Sequence, residues 1–256
     1  MISRWFFISS CTTVLAASLC AQEITLDQIV QKNLEALGGA EAIKNVSTLS
    51  LDGKMVVSGG QVEAPMSVRI KRPGMVRTEM SLQGNQIITA WDGSSGWMIN
   101  PMQGSSEPKQ LDESMVKSVQ QNADIETSIG ALASFQAAGQ ELELQGKSEV
   151  EGVTAYKIKV ARKSGDAQTY FIDANTWLPV KVVVKSNQMG RDMEIESFPG
   201  NYKKVSGVLI AFSQDQRVAG RSMMQLLIEK IEINQPIDDA VFKMPPPAPK
   251  AAEEKK

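Results

Sequence analysis

From Thr48 onward the chain changes sides at almost every residue. Leu49, Leu51, Gly53, Met55 and Val57 alternate with Ser50, Asp52 and Lys54, and Gly59-Gly60 turns the chain. Met66, Val68, Ile70 and Arg72 share the next face, opposite Ser67, Arg69 and Lys71. After Pro73-Gly74, the residues Val76, Thr78, Met80 and Leu82 oppose Arg77, Glu79 and Ser81. A period of two with one dry and one wet face predicts antiparallel strands. Arg72 breaks the pattern, a charge in the dry phase, and spacing alone reads it as a strand-end residue whose stem packs while its head reaches water.

The stretch Gln86 to Met102 reads as strand, tight turn, strand. Asp92-Gly93 supplies the positive-φ position that folds two strands back on each other. Trp91 and Trp97, two of the four tryptophans, flank the turn, so the hairpin needs cover on both faces. Strands resume at Glu141 to Val150 and Ala155 to Lys163. They continue through Gln168 to Asp173, the dry run Leu178, Val180, Val182, Val184, then Gly190 to Phe198, Gly207 to Arg217 and Ser222 to Asn234. Ten to twelve strands joined by short turns predict a meander, sandwich or barrel.

Helical spacing is confined to two places. Thr25-Leu26-Asp27-Gln28 has the capping-box pattern, Leu26, Ile29, Val30, Leu34 and Leu37 share one face, and Gly38-Gly39 ends the helix. A short turn over Ala40 to Lys44 follows. Residues 103 to 138 interrupt the strands: 111 to 122 reads as helix and 125 to 138 as a weaker, Ala-rich run, neither with a strong cap. This segment is the candidate for a movable cover.

At 256 residues the chain can bury a real core. Charged residues make up 22% and nearly cancel, to −2, which argues against nucleic acid as a partner. The doublets Lys71-Arg72 and Lys203-Lys204 read as a strand end and a turn. Arg4 followed by the apolar run Trp5 to Leu19 and small residues predicts a signal peptide, cut between Ser18 and Gln22. The expected division is therefore a signal peptide over 1–21, one domain over 22–247 and a disordered tail over 248–256, rich in Pro, Ala and charge. Cys20 raises the question of lipid anchoring, but Leu19 is the wrong neighbour for a lipidation signal. A periplasmic or secreted product, beginning near Gln22, is expected. Cys11 and Cys20 both fall in the removed segment, so no disulfide is expected.

Histidine is absent, which removes Ser-His-Asp triads, Cys-His pairs and histidine-ligated zinc together. Ser114-Met115-Val116-Lys117 matches S-x-x-K and Lys163-Ser164-Gly165 resembles K-T-G, but the two lie too close in sequence and no S-D-N separates them. Glu194 and Glu196 alternate with Met193 and Ile195 as a solvated side, and Asp238-Asp239 reads as a turn cap. No catalytic residue, metal ligand or cofactor is therefore assigned. The thirteen methionines are spread along the strands, not clustered as copper motifs would be. They read mainly as core, with adaptable lining of a greasy cavity as the sharper alternative.

Three segments in order carry a family resemblance: Lys71-Arg72-Pro73; Asp92-Gly93 with Trp97, Asn100 and Pro101; and Ile237-Asp238-Asp239-Ala240-Val241-Phe242-Lys243-Met244-Pro245. Together they resemble the periplasmic lipoprotein carrier LolA, its outer-membrane relative LolB and the branch labelled outer-membrane lipoprotein-sorting proteins. The resemblance implies a mainly β (α+β) fold, a strongly curved antiparallel sheet forming an incomplete barrel, with N-terminal and lid helices over the concave face. It implies acylated lipoprotein or lipid as partner, with an inner-membrane donor and an outer-membrane acceptor as further partners. The concave lining would then be Leu51, Met55, Met66, Val68, Ile70, Val76, Thr78, Met80 and Trp97. Arg72, matching an inward arginine of the family, becomes a candidate lid latch, expected to bond backbone carbonyls between Leu111 and Ala138. Val76 and Thr78 stand where the carrier has aromatics, and the second half is longer than the carrier's. A binder or carrier of acyl chains, a regulatory module sensing the envelope on the same fold, and an enzyme of unknown type are the readings, in that order.

Overall fold

The computed structural model describes residues 24–57, 60–161, 167–188 and 191–246. The signal segment, the tail over 248–256 and Lys163-Ser164-Gly165 lie outside the described residues. Helix α1 (Leu26–Ala36) opens on the expected capping box: Thr25 Oγ1 accepts from Gln28 N at 3.2 Å, and Thr25 N donates to Gln28 Oε1 at 3.0 Å. Helix α2 (Ala40–Lys44) follows the Gly38-Gly39 stop. Six strands come next: β1 (Thr48–Val57), β2 (Val62–Lys71), β3 (Met75–Leu82), β4 (Asn85–Trp91), β5 (Gly96–Asn100) and β6 (Ser105–Gln110). Three short helices, α3 (Glu113–Asn122), α4 (Ile125–Ser128) and α5 (Leu132–Ala137), separate them from seven more. These are β7 (Glu141–Val150), β8 (Val153–Ala161), β9 (Ala167–Asp173), β10 (Pro179–Gln188), β11 (Arg191–Val205), β12 (Val208–Val218) and β13 (Arg221–Ile233).

Among the described residues thirteen strands form one antiparallel sheet in the order β6-β5-β4-β3-β2-β1-β13-β12-β11-β10-β9-β8-β7, not closed into a barrel. Every strand pairs with its neighbours in sequence except β6 and β7, which form the two edges of the sheet. The one pairing between strands distant in sequence is β1 with β13, from Leu49 opposite Ile233 to Val57 opposite Met224. The strands from Glu141 onward thus continue the sheet begun at Thr48. The β1–β13 register shifts between Asp52 and Gly53, and a Cβ on Gly53 would lie 2.2 Å from the Leu227 carbonyl oxygen. Only glycine admits that approach, and such a bulge bends the strand that carries it.

The concave face is dry where helices cover it. Leu37 and Ile43 pack with Leu49, Ile70, Val76, Trp91, Ile125 and Ile129 into one cluster; Ile29 and Val30 of α1 join Leu132 and Phe135 of α5 over Tyr156, Ile158, Val160 and Ile172. Asn33, fully buried, ties these pieces together. Its Nδ2 donates to the Trp177 carbonyl at 3.0 Å and its Oδ1 accepts from Leu132 N at 3.0 Å. A helix, the β9–β10 connection and the start of a covering helix therefore share one side chain.

Several expectations need correction. The stretch expected to interrupt the strands contains β6; its Pro108 and its charges hide the alternation, as suits the edge strand it is. Lys203-Lys204 lies within β11 instead of a turn. Val180 does not share a face with Val182: the register shifts between Pro179 and Lys181, so Val180 packs with Phe171 and Val183. None of the buried core among the described residues is methionine, and Met102 and Met223 are more than half exposed. Two of the three covering helices, α3 and α4, are also capped, whereas α5 has no side-chain cap. Asp112 accepts from Met115 N at 2.9 Å and Asp124 from Glu126 N at 3.0 Å.

Asn33→Ala removes both buried bonds and is expected to destabilise the protein by about 2–6 kcal/mol, since each orphaned group costs ~1–3, read as a lower urea midpoint. At the β4–β5 turn, burial raises the Asp92 pKa, but the backbone N–H and hydroxyl groups of Ser94 and Ser95 outweigh it and hold the group at about 2, against 3.8 ordinarily. A lowered folded value means that this contribution is fully present above pH 3.8 and is lost as pH falls through about 2. The urea midpoint should therefore drop across that window, and less steeply in Asp92→Asn.

Candidate functional site

Thr78 on β3 and Gln168 on β9 stand seven strand positions apart, which in a flat sheet is about 34 Å. They nevertheless line one cavity of about 540 Å³. The sheet is therefore strongly curved, and its two halves face each other across a trough. One wall, from β1, β2 and β13, carries Leu49, Leu51, Met66, Val68, Ile70, Leu226 and Ile228. The other, from β9 to β12, mixes Val182, Val184 and Ile210 with Gln168, Tyr170, Ser197, Gln214 and Gln216. Asn122 and the run Thr127 to Gly130 form the roof. Along β1 burial falls from Leu49, sealed under helices, to half-exposed positions from Leu51 to Val57, so the trough is covered at one end and accessible at the other.

Of the residues predicted to line the cavity, Leu51, Met66, Val68, Ile70 and Thr78 do so. Met55 and Met80 share the concave face, opposite Leu226 and Met66 respectively across the β1–β13 and β2–β3 pairs. They extend the trough toward its open end without lining the cavity itself. Val76 also faces inward but is 2% exposed, sealed between Trp91 and the cover. Trp97 is a correction. It sits opposite Ala90, which sits opposite Arg77, so it belongs to the convex face. There its Nε1 donates to the Phe242 carbonyl at 2.7 Å, and the Arg77 guanidinium lies 5.3 Å from its ring. The register across the turn pairs Trp91 with Gly96, which puts the two tryptophans on opposite faces.

The wall from β9 to β12 was not anticipated. Its strands were legible, but Gln168, Ser197 and Gln216 carry no signal in a single sequence that separates a cavity-facing polar residue from a wet-face one.

Arg72 sits at the rim. Its Nε donates to the Val46 carbonyl at 2.7 Å, and its Nη2 to the Ile43 carbonyl at 3.4 Å and to Glu126 Oε1 at 3.0 Å. It therefore does reach the covering segment, but through the Glu126 carboxylate of α4. The carbonyls it satisfies belong to the end of α2 and the residues just after it, not to the span Leu111 to Ala138. Both side chains of the ion pair are about one-third exposed, 35% and 32%, which places the pair among those worth ~0–1 kcal/mol. Gly130, at φ +81°, lets the roof rest on Pro179, whose Cγ would lie 3.0 Å from any Cβ there.

No protein-family model matches this chain, and neither does a curated protein. Solved structures do. A DUF1329-family protein from Desulfovibrio piger aligns over 85% of this chain and 96% of its own at 12% identity, with a TM-score of 0.58. A LolA-superfamily protein from Nitrosomonas europaea aligns over 84% and 97% at 14% identity and 0.56. A domain from Vibrio parahaemolyticus named for outer-membrane lipoprotein sorting aligns over 84% and 94% at 11% identity and 0.55. At these identities the likeness is one of fold. The chain has a LolA-like fold, an open, curved antiparallel sheet with helices over its hollow.

Glu126→Gln is expected to accelerate release of a fluorescent fatty acid in stopped flow while leaving the urea midpoint nearly unchanged. Arg72→Leu should accelerate release and also lower the midpoint, because two carbonyls lose their donor. Arg69→Leu, on the convex face beside Asp52, should leave release at the wild-type rate.

Proposed function

We propose that this protein is a non-enzymatic binder and carrier of acyl chains, belonging to lipids or lipoproteins, that acts in the periplasm. The observation that carries the reading is the half-covered trough. One wall is apolar over three strands, the volume lies within the ~300–1,000 Å³ of small-molecule sites, and the roof is held at its rim by a weak ion pair. Half-buried Met55, Met66 and Met80 suit an adaptable apolar surface. A similar fold occurs in a domain named for lipoprotein sorting, which makes transfer between an inner-membrane donor and an outer-membrane acceptor the finer form of the proposal.

A carrier also fits the chemistry of the hollow. Its described lining residues include no Asp, Glu, Lys or Arg. Burial, with the neighbouring Tyr170, raises the pKa of Tyr202, so that phenol keeps its proton. Among the described residues no group of acidic side chains could hold a metal ion, and no helix is long and apolar enough to cross a membrane.

Native mass spectrometry of the protein purified from its own envelope is the test. A co-purified lipid or lipopeptide is the expected result. A ligand-free protein that also fails to bind a fluorescent fatty acid would overturn the reading.

A further inference from the structure

The two walls of the cavity differ in kind, and the difference specifies a ligand. On β9 to β12 polar side chains are interleaved with apolar ones on the concave face. Ser197 lies directly opposite Gln216, Val182 opposite Ser197 and Tyr170 opposite Val182. Gln168 is the next inward residue beside Tyr170. Ser197 is 7% exposed and Gln168 9%. Tyr170 donates to Gln168 Oε1 at 3.4 Å, and Gln168, Ser197 and Gln216 all line the cavity. Polar groups that line a cavity favour a ligand able to pair with them over one that is not.

Resting on the carrier reading above, we infer that the cavity selects an uncharged acylglycerol group. The chain lies on the Leu51–Met66–Val68 wall, and the ester carbonyl and glycerol hydroxyl meet Gln168, Ser197 and Gln216. A plain hydrocarbon would leave those donors and acceptors unpaired, a penalty that lets hydrogen-bonding sites reject ligands lacking the matching group. A carboxylate or phosphate drawn down to the same depth would meet no cation among the described lining residues. Arg72, at the rim, is already engaged by Glu126 and two carbonyls. Ester oxygens accept from the amide N–H groups, and the glycerol hydroxyls both donate and accept, so uncharged glycerides complement the patch without a counter-ion.

The test measures equilibrium binding of 1-monooleoylglycerol, oleate and pyrene at neutral pH. The proteins are the mature chain and the variants Gln168→Leu and Ser197→Ala/Gln216→Leu, each checked for a wild-type circular dichroism spectrum. Wild type should bind the monoacylglycerol about tenfold more tightly than oleate, the worth of one or two neutral hydrogen bonds. Both variants should bring the ratio close to one, with pyrene affinity unchanged or higher. Retention of the preference in both variants, or tighter binding of oleate by wild type, would overturn the inference and leave the carrier reading standing. Binding of none of the three ligands would overturn the carrier reading itself.

Discussion

The β1–β13 pairing is the constraint on which the rest depends. Without it the chain would carry two six- or seven-stranded meanders, each with an apolar face and no reason to face the other. The backbone bonds from Leu49–Ile233 to Val57–Met224 make them one sheet, and the bulge at Gly53 sits in that seam. Curvature then turns the two apolar faces toward each other, too far apart to interdigitate. The helices fill one end, through Leu37, Ile43, Ile125 and Ile129 on one side and Ile29, Leu132 and Phe135 on the other. The remaining hollow is a geometric remainder of this arrangement.

A hollow lined by apolar residues tends to collapse or to aggregate unless it can be covered. The cover here is held mostly by nonpolar packing, since Ala123, Ile125, Ile129 and Ala131 belong to the main core cluster. The Arg72–Glu126 pair adds little energy at its exposure. What it adds is position: it fixes α4 to the α2 end and to the β2 rim at once. Each methylene taken from water is worth about 0.8 kcal/mol, so a few carbons of an acyl chain already exceed such a pair. That balance suits a cover that yields to cargo.

Much of the fold was legible because alternation survives wherever one face is dry. β1 to β3 could be read residue by residue, and with them Leu51, Met66, Val68, Ile70 and Thr78. Legibility failed where the period was broken or both faces were covered. The bulge after Pro179 moved Val180 to the other face. The four-residue turn between β4 and β5 hid the register that places Trp97 outward. Asp112 was read as lying inside a helix that begins one residue later, which concealed its capping role. The methionines mislead in the opposite sense: an apolar side chain on a dry face reads as core, but the trough leaves that face open.

Trp97 also explains why three separated segments occur together in the chain. On the convex face Lys71 Nζ donates to the Ile237 carbonyl at 2.7 Å and pairs with Asp239 at 2.5 Å. Arg77 Nη1 donates to the Val241 carbonyl at 2.7 Å, and Trp97 Nε1 to that of Phe242. The segment after β13 therefore lies along the outside of β2, β3 and β5, capped at its own turn by Asp238 and anchored by fully buried Phe242. Lys71 and Arg72 are adjacent and point to opposite faces, one holding this strap and the other the cover. A curved sheet with two covered faces needs a fastening on each side, and the end of β2 supplies both.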